Sequence, residues 1–261
     1  MDRKLLKLPF REGRIPAWRC PACNAGILTV IDGSFREEER AHSRKARDHE
    51  AWEPEWIQFV YSCMLKCPNS TCEEVVTSGG TGQLDWEGGH DFDGSPEQNW
   101  FSIYQPKFFM PHLKLFEIPP DTPDNVASEL NESFGLFFQS SSSASNHVRV
   151  ALENVLNDLK VARYTTNNGR RNFISLHNRI QSLPQKFDEI KELCLAVKWL
   201  GNAGSHSNHE VTMDDVLDAY ELMQTVLDRL YNSKSKSIEK LAKAVNKKKG
   251  PVKRTAKRKH N

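Results

Sequence analysis

The sequence predicts an α+β chain, a small β-rich part followed by an antiparallel helical bundle. Three observations predict it. Residues up to about Leu115 are aromatic and irregular, hold every tryptophan except Trp199, and break into short β-prone runs between Gly, Asp, Pro and Asn clusters. From Pro123 onward apolar residues recur at helical spacing instead. Charge divides at a third place. Residues 232–261 hold twelve Lys or Arg and one acid, Glu239, while the remaining 231 residues hold 24 bases against 33 acids. The formal net charge of +2 therefore averages an acidic body and a basic tail.

A length of 261 residues, at about 150 per domain, fits one or two domains. The expected division is a β-rich domain over 1–118, a helical bundle over 119–231 and a disordered basic tail over 232–261. A hydrophobic content of 38% is enough for a core. The opening MDRKLLKLPFREGRIP has no apolar run of secretory-signal length, and nowhere do apolar residues run long enough for a membrane span. Six cysteines are too few for a disulfide scaffold. The expectation is a cytoplasmic protein in a reducing compartment.

In the β-rich part, residues 26–31, 57–65 and 101–104 are the expected strands, with GGTGQ and GGHDFDGSPEQN as loops between them. Residues 34–51 are dense in Glu, Arg, Lys and His and lack Pro and Gly. They predict a solvated helical insert with pairs such as Arg44 and Asp48 one turn apart. Pro106, Pro111, Pro119, Pro120 and Pro123 then impose an extended connector. Helical stripes follow: Val126, Leu130, Phe134 and Phe137; Val148, Leu152, Val155 and Leu159; Phe187, Ile190, Cys194 and Val197; and Val216, Tyr220, Met223, Leu227 and Leu230. A shorter helix is expected over 173–183, ended by Pro184. The serines of 139–145 precede a stripe and suit a helix cap.

Two constellations carry chemistry. Cys20 and Cys23 form CPAC, and Cys67 and Cys72 bracket a turn in CPNSTC. Two such pairs present four thiolates to one tetrahedral ion, and four sulfurs predict a structural Zn²⁺ with no open position for catalysis. Cys63, four residues before Cys67, is the thiol that would replace a ligand if the assignment is wrong. Cys194 lies on a helical stripe and reads as core. The second constellation is VKWLGNAGSH. If the helix continues, Lys198, Asn202 and His206 fall on one face at four-residue intervals. A cation, an amide and an imidazole so placed can hold a phosphate and move a proton. Gly201 and Gly204 also fit a plain helix end with His206 exposed.

The chain resembles the bacterial "domain of unknown function 4145" family over nearly its whole ordered length. The pieces that carry it are CPAC, CPNSTCEEVV, YQPKFFMPHLKLFEIPPDTPDNV, SASNHVRVALENVL, LHNRIQSLP, VKWLGNAGSH and VTMDDVLDAYELMQTVLDRLY. The resemblance implies a zinc-ribbon-like N-terminal part and a helical domain of the HEPN type, named for nucleotide binding in prokaryotes and higher eukaryotes. Many HEPN proteins are metal-independent ribonucleases of toxin and phage-defence systems, active across a homodimer formed by the helical bundle. Their motif pairs an Arg and a polar residue with a later His. By that resemblance His206 is the motif histidine and Asn202 the polar residue, while Gly201 stands where the arginine would be. Lys198 occupies the place, three residues before the Gly, where the family often has Arg. Lysine keeps the charge but lacks the bidentate fork that fits phosphate. Arg149 and Glu153 match RVALE, as further site residues or as a structural bridge.

The expected function is a zinc-binding HEPN-like module that engages nucleic acid, RNA above all, or a defence partner, with catalysis weak or absent. The alternatives are a metal-independent endoribonuclease using His206, which would leave 2′,3′-cyclic phosphate ends, and a non-catalytic dimeric adaptor. Lys247, Lys248, Lys249, Lys253, Arg254, Lys257, Arg258 and Lys259 are the expected phosphate contacts. Docking of this tail on anionic lipid is not expected, because the sequence offers no apolar anchor beside it.

Overall fold

The computed structural model describes residues 2–90, 93, 96–167, 169–206 and 210–251. The chain is α+β, an antiparallel sheet followed by packed helices. Strands β1 (Thr29–Val30) and β2 (Arg36–Glu39) both pair with β3 (Gln58–Lys66), which pairs with β4 (Val75–His90), which pairs with β5 (Pro96–Met110). Alternation along β3 buries Tyr61, Cys63 and Leu65 and leaves Val60 and Met64 exposed, so one face of the sheet meets the core. That core is aromatic: Phe35 stacks on Tyr61 at 5.5 Å and meets Tyr104 edge-on at 4.9 Å.

Phe35 also explains why the charged insert is not one helix. Burying it holds 36–39 as strand β2 against β3, and only α2 (Ala41–Ala46) remains helical. Glu39 takes Arg47 at 2.6 Å, and Tyr104 donates to Glu37. Of the runs read as loops, GGTGQ and the Gly88–His90 start of the second lie within strand β4, and Pro96–Asn99 lies in β5. Across from Gly80 the register slips at Pro106, and a Cβ on Gly80 would stand 2.1 Å from the Gln105 carbonyl oxygen. These glycines admit a β-bulge, and the proline is tolerated at the outermost strand of the sheet.

The bundle consists of α3 (Asp124–Leu136), α4 (Ser141–Asp158), α5 (Leu176–Gln181), α6 (Asp188–His206) and α7 (Met213–Tyr231). Side-chain bonds run oppositely along α3 and α4: Ser133 donates to the Ala144 carbonyl, Glu129 meets His147, and Asn154 donates to the Asn125 carbonyl. The pair is antiparallel. Arg229 near the end of α7 likewise donates to the Glu189 carbonyl near the start of α6. The stripes are the core; Val126, Leu130, Val148, Leu152, Val155, Cys194, Val197, Val216, Met223 and Leu227 are all fully buried. Ser140 caps α4 by accepting from the Ser143 N–H at 3.2 Å. The expected helix over 173–183 shortens to α5, because Tyr164–Asn167 and Arg170–Phe173 form a hairpin, β6 and β7.

The sheet and the bundle pack on one another near residue 118. Phe116 meets Phe134 at 5.1 Å and Tyr220 at 5.8 Å, and Phe109 of the sheet meets Phe138 at 5.0 Å. One continuous core spans both parts. Helix α1 (Arg3–Lys7) straps the opening residues to α7, with Arg3 on Asp218 and Glu221 at 2.6 and 2.8 Å and Lys7 on Asp214 at 2.7 Å. Of the tail expected to be disordered, the part up to Lys248 is helical, and residues 252–261 lie outside the described residues. Helix α8 (Ser233–Lys248) follows α7 directly. Lysine and alanine are good helix formers, and no Gly or Pro interrupts residues 233–248.

Helix α7 begins in a capping box. Thr212 N–H donates to Asp215 Oδ2 at 2.8 Å, and Asp215 N–H donates to Thr212 Oγ1 at 3.2 Å. The Thr212 hydroxyl and N–H hold the Asp215 carboxyl below its ordinary value. Thr212→Ala is expected to cost about 1 kcal/mol in chemical denaturation at neutral pH. A depressed folded pKa contributes stability above the ordinary carboxylate range and loses it as pH falls through the folded value. The difference between wild type and variant should therefore shrink on acidification.

Candidate metal centre and the α6 face

The cysteine quartet assembles as its spacing predicts. Cys20, Cys23, Cys67 and Cys72 place their sulfurs within 4.8 Å of one another, with Cys20 to Cys72 and Cys23 to Cys67 both at 3.7 Å. Four thiolates about 2.3 Å from one tetrahedral ion stand about 3.8 Å apart, so the geometry fits a metal site and is far too wide for disulfides.

Two knuckles build it. In the first, the Asn24 N–H donates to the Cys20 carbonyl and the Cys20 N–H to the Gly26 carbonyl, with Asn24 at φ 55° to turn the chain. In the second, Cys72 and Glu73 N–H both donate to the Asn69 carbonyl, Cys67 N–H donates to the Glu74 carbonyl, and Glu73 takes φ 49°. Gly26 lies where the knuckles touch; a Cβ there would stand 2.4 Å from Cys67 Sγ. Backbone N–H groups of Gly26 and Ala25 lower the Cys23 thiol to about 6, while burial raises Cys67 to about 12, so the four sulfurs do not share one protonation state without a bound cation. Cys63 is outside the quartet, on the buried face of β3, where burial pushes its thiol up to about 11. Cys194 is core as expected, raised to about 12 by burial.

Helix α6 does continue to His206, so the backbone places Lys198, Asn202 and His206 on one face. The His206 side chain lies outside the described residues. Asn202 is half-buried. Lys198 is only 8% exposed, and its Nζ lies 3.1 Å from the centre of the neighbouring Trp199 ring. Burial, then the charge of Arg149, lowers its pKa. Arg149 pairs with Glu153 at 2.8 Å, one turn along α4. Each cation thus has an intramolecular partner, Trp199 for Lys198 and Glu153 for Arg149.

Gly201 has a structural reason to be glycine. Here α6 crosses α4 so closely that a Cβ would lie 2.6 Å from Arg149 Cβ and 3.3 Å from the Ser145 carbonyl oxygen. Ser145, buried in the serine run, donates to the Leu200 carbonyl at 3.0 Å and pins the crossing. Sequence reasoning missed this approach of the two helices. The available signal was a glycine on one apolar helix and a small-residue turn, Ser-Ala-Ser, on another.

Of the expected phosphate contacts, Lys247, Lys248 and Lys249 are exposed, as is Lys243 before them. Lys253, Arg254, Lys257, Arg258 and Lys259 lie outside the described residues. Among the described residues no helix is long and apolar enough to cross a membrane.

No curated protein and no solved structure matches the chain. The two halves match different families, which corrects the expectation that one family covers the cysteine knuckles and the helices together. Residues 8–109, with the cysteine quartet, match the model of Domain of unknown function (DUF8608), not a zinc-ribbon family, and residues 131–248, from within α3 through α8, match that of Domain of unknown function (DUF4145).

Proposed function

We propose that the chain is a HEPN-like module, stabilised by a structural Zn²⁺ on Cys20, Cys23, Cys67 and Cys72, that binds nucleic acid with catalysis weak or absent. One contrast carries the reading. Lys198 of α6 lies over Trp199 and Arg149 of the adjoining α4 pairs with Glu153, so each has a partner within the chain, whereas Lys243, Lys247, Lys248 and Lys249 are exposed. Exposed lysines without base-reading partners favour phosphate contact over sequence readout. RNA is the favoured ligand by the resemblance to HEPN proteins, as are a homodimer through the bundle and a role in bacterial phage defence. Four soft thiolates in a closed tetrahedron select zinc for folding and leave it no position for a water.

The second reading, a metal-independent endoribonuclease, is favoured by the helical phase that keeps Lys198, Asn202 and His206 on one face. In it His206 would move the proton of a ribose 2′-hydroxyl, Asn202 would orient the scissile phosphate, and Lys198 with Arg149 would stabilise developing charge. RNA incubated with the zinc-loaded protein in buffer free of Mg²⁺ and other added metals, wild type against His206→Ala, separates the two without stripping the structural ion. The binding-module reading expects equal, near-zero cleavage. Fragments with 2′,3′-cyclic phosphate ends that vanish in the variant would overturn it.

A further inference from the structure

Helix α8 is not only basic. Its winding brings Ile238, Leu241 and Val245 to one side at i, i+3 and i+7, and they are 66, 41 and 36% exposed. The bundle core closes without them, ending on Leu227, Leu230 and Tyr231 of α7. Lys243, Lys247 and Lys248 are exposed on the same helix, and the sequence from Ser233 onward carries twelve Lys or Arg against one acid. An apolar stripe on so basic a helix has few natural occupants. Nucleic-acid phosphates reward the lysines and gain nothing from the stripe. A second copy of α8 would bring like charge against like charge. An anionic bilayer rewards both features, with acyl chains for the stripe and headgroups for the lysines.

We propose that α8 is an interfacial anchor that lies on anionic lipid, with Ile238, Leu241 and Val245 immersed and the lysines at headgroup level. The stripe is an observation separate from the exposed lysines behind the RNA reading. The anchor missing from the linear sequence is supplied by the helix.

Co-sedimentation of the full chain with phosphatidylcholine vesicles, with and without phosphatidylserine, tests the proposal beside RNA-binding titrations. Wild type is expected to bind only the vesicles containing phosphatidylserine. The variant Ile238→Ala/Leu241→Ala/Val245→Ala, which keeps helix propensity, should lose on the order of a hundredfold in lipid partitioning and keep its RNA affinity. Replacing Lys243, Lys247, Lys248 and Lys249 with Gln should weaken both. Wild type that ignores anionic vesicles, or a stripe variant that binds them as tightly as wild type, overturns the anchor. A stripe variant that loses RNA affinity to the same degree as lipid also overturns it, by assigning the stripe to RNA. Failure of RNA binding alone, with the lipid results as expected, overturns only the RNA reading.

Discussion

Cys67→Ser should release the metal and unfold the sheet end of the molecule. Cys67 is fully buried, its N–H is tied to the Glu74 carbonyl, and its sulfur fills the space that Gly26 leaves open. No other cysteine stands in reserve, because Cys63 projects from the buried face of β3 outside the quartet. A serine offers a hard, protonated oxygen where the ion needs a soft thiolate. Structural zinc contributes apparent folding free energies of about 10 kcal/mol or more, so a loss of at least about 5 kcal/mol is expected even with the aromatic core partly compensating. Elemental analysis should read one zinc per wild-type chain and none in the variant, with a large fall in Tm. Cys63→Ser, by contrast, should keep its metal. A zinc-replete Cys67→Ser protein would move the site elsewhere.

Gly201→Arg, which writes the missing motif arginine back into α6, should destabilise the bundle and not create a nuclease. The new Cβ would start 2.6 Å from Arg149 Cβ, and the Ser145 bond to the Leu200 carbonyl holds the two helices at that separation. Relief requires α4 and α6 to part, which uncovers fully buried Val148, Leu152, Cys194 and Val197. Overpacking of this kind costs about 3 kcal/mol, or roughly 10 °C in Tm for a chain of this size. Even Gly201→Ala should lose part of that. A folded, RNA-cleaving Gly201→Arg protein would show that the crossing can open and that the glycine is a lost catalytic position.

The contrast between these two sites explains what the sequence could and could not convey. The cysteine quartet was legible because ligand chemistry is local: each pair of cysteines needs only its own turn, and the 43 residues between the pairs leave the geometry free. The bundle was legible because Val148, Leu152 and Val155, or Val216, Tyr220 and Met223, declare a period of 3.6 without help from neighbours. What failed depends on partners distant in sequence. Arg36–Glu39 is strand because Phe35 finds Tyr61 and Tyr104, and the glycines near 80 sit inside β4 because Pro106 crosses opposite them. The hairpin of β6 and β7 had a local signal, Asn-Gly with Gly169 at φ 74°, that the helical pattern on either side obscured. Charge density read as disorder hid α8, although its apolar residues already carried a helical spacing.

The central claim is that the basic segment holds nucleic acid by its phosphates without cutting it. The direct measurement is the affinity for a single-stranded RNA across a salt series, with the RNA recovered and run on a gel. Wild type should show affinity falling steeply with salt and leave the RNA intact. Lys247→Gln/Lys248→Gln/Lys249→Gln should flatten the slope of log K against log salt by about 2, at about 0.7 for each phosphate that is no longer neutralised. An unchanged slope, no binding at low salt, or RNA shortened by the wild-type protein would contradict the account.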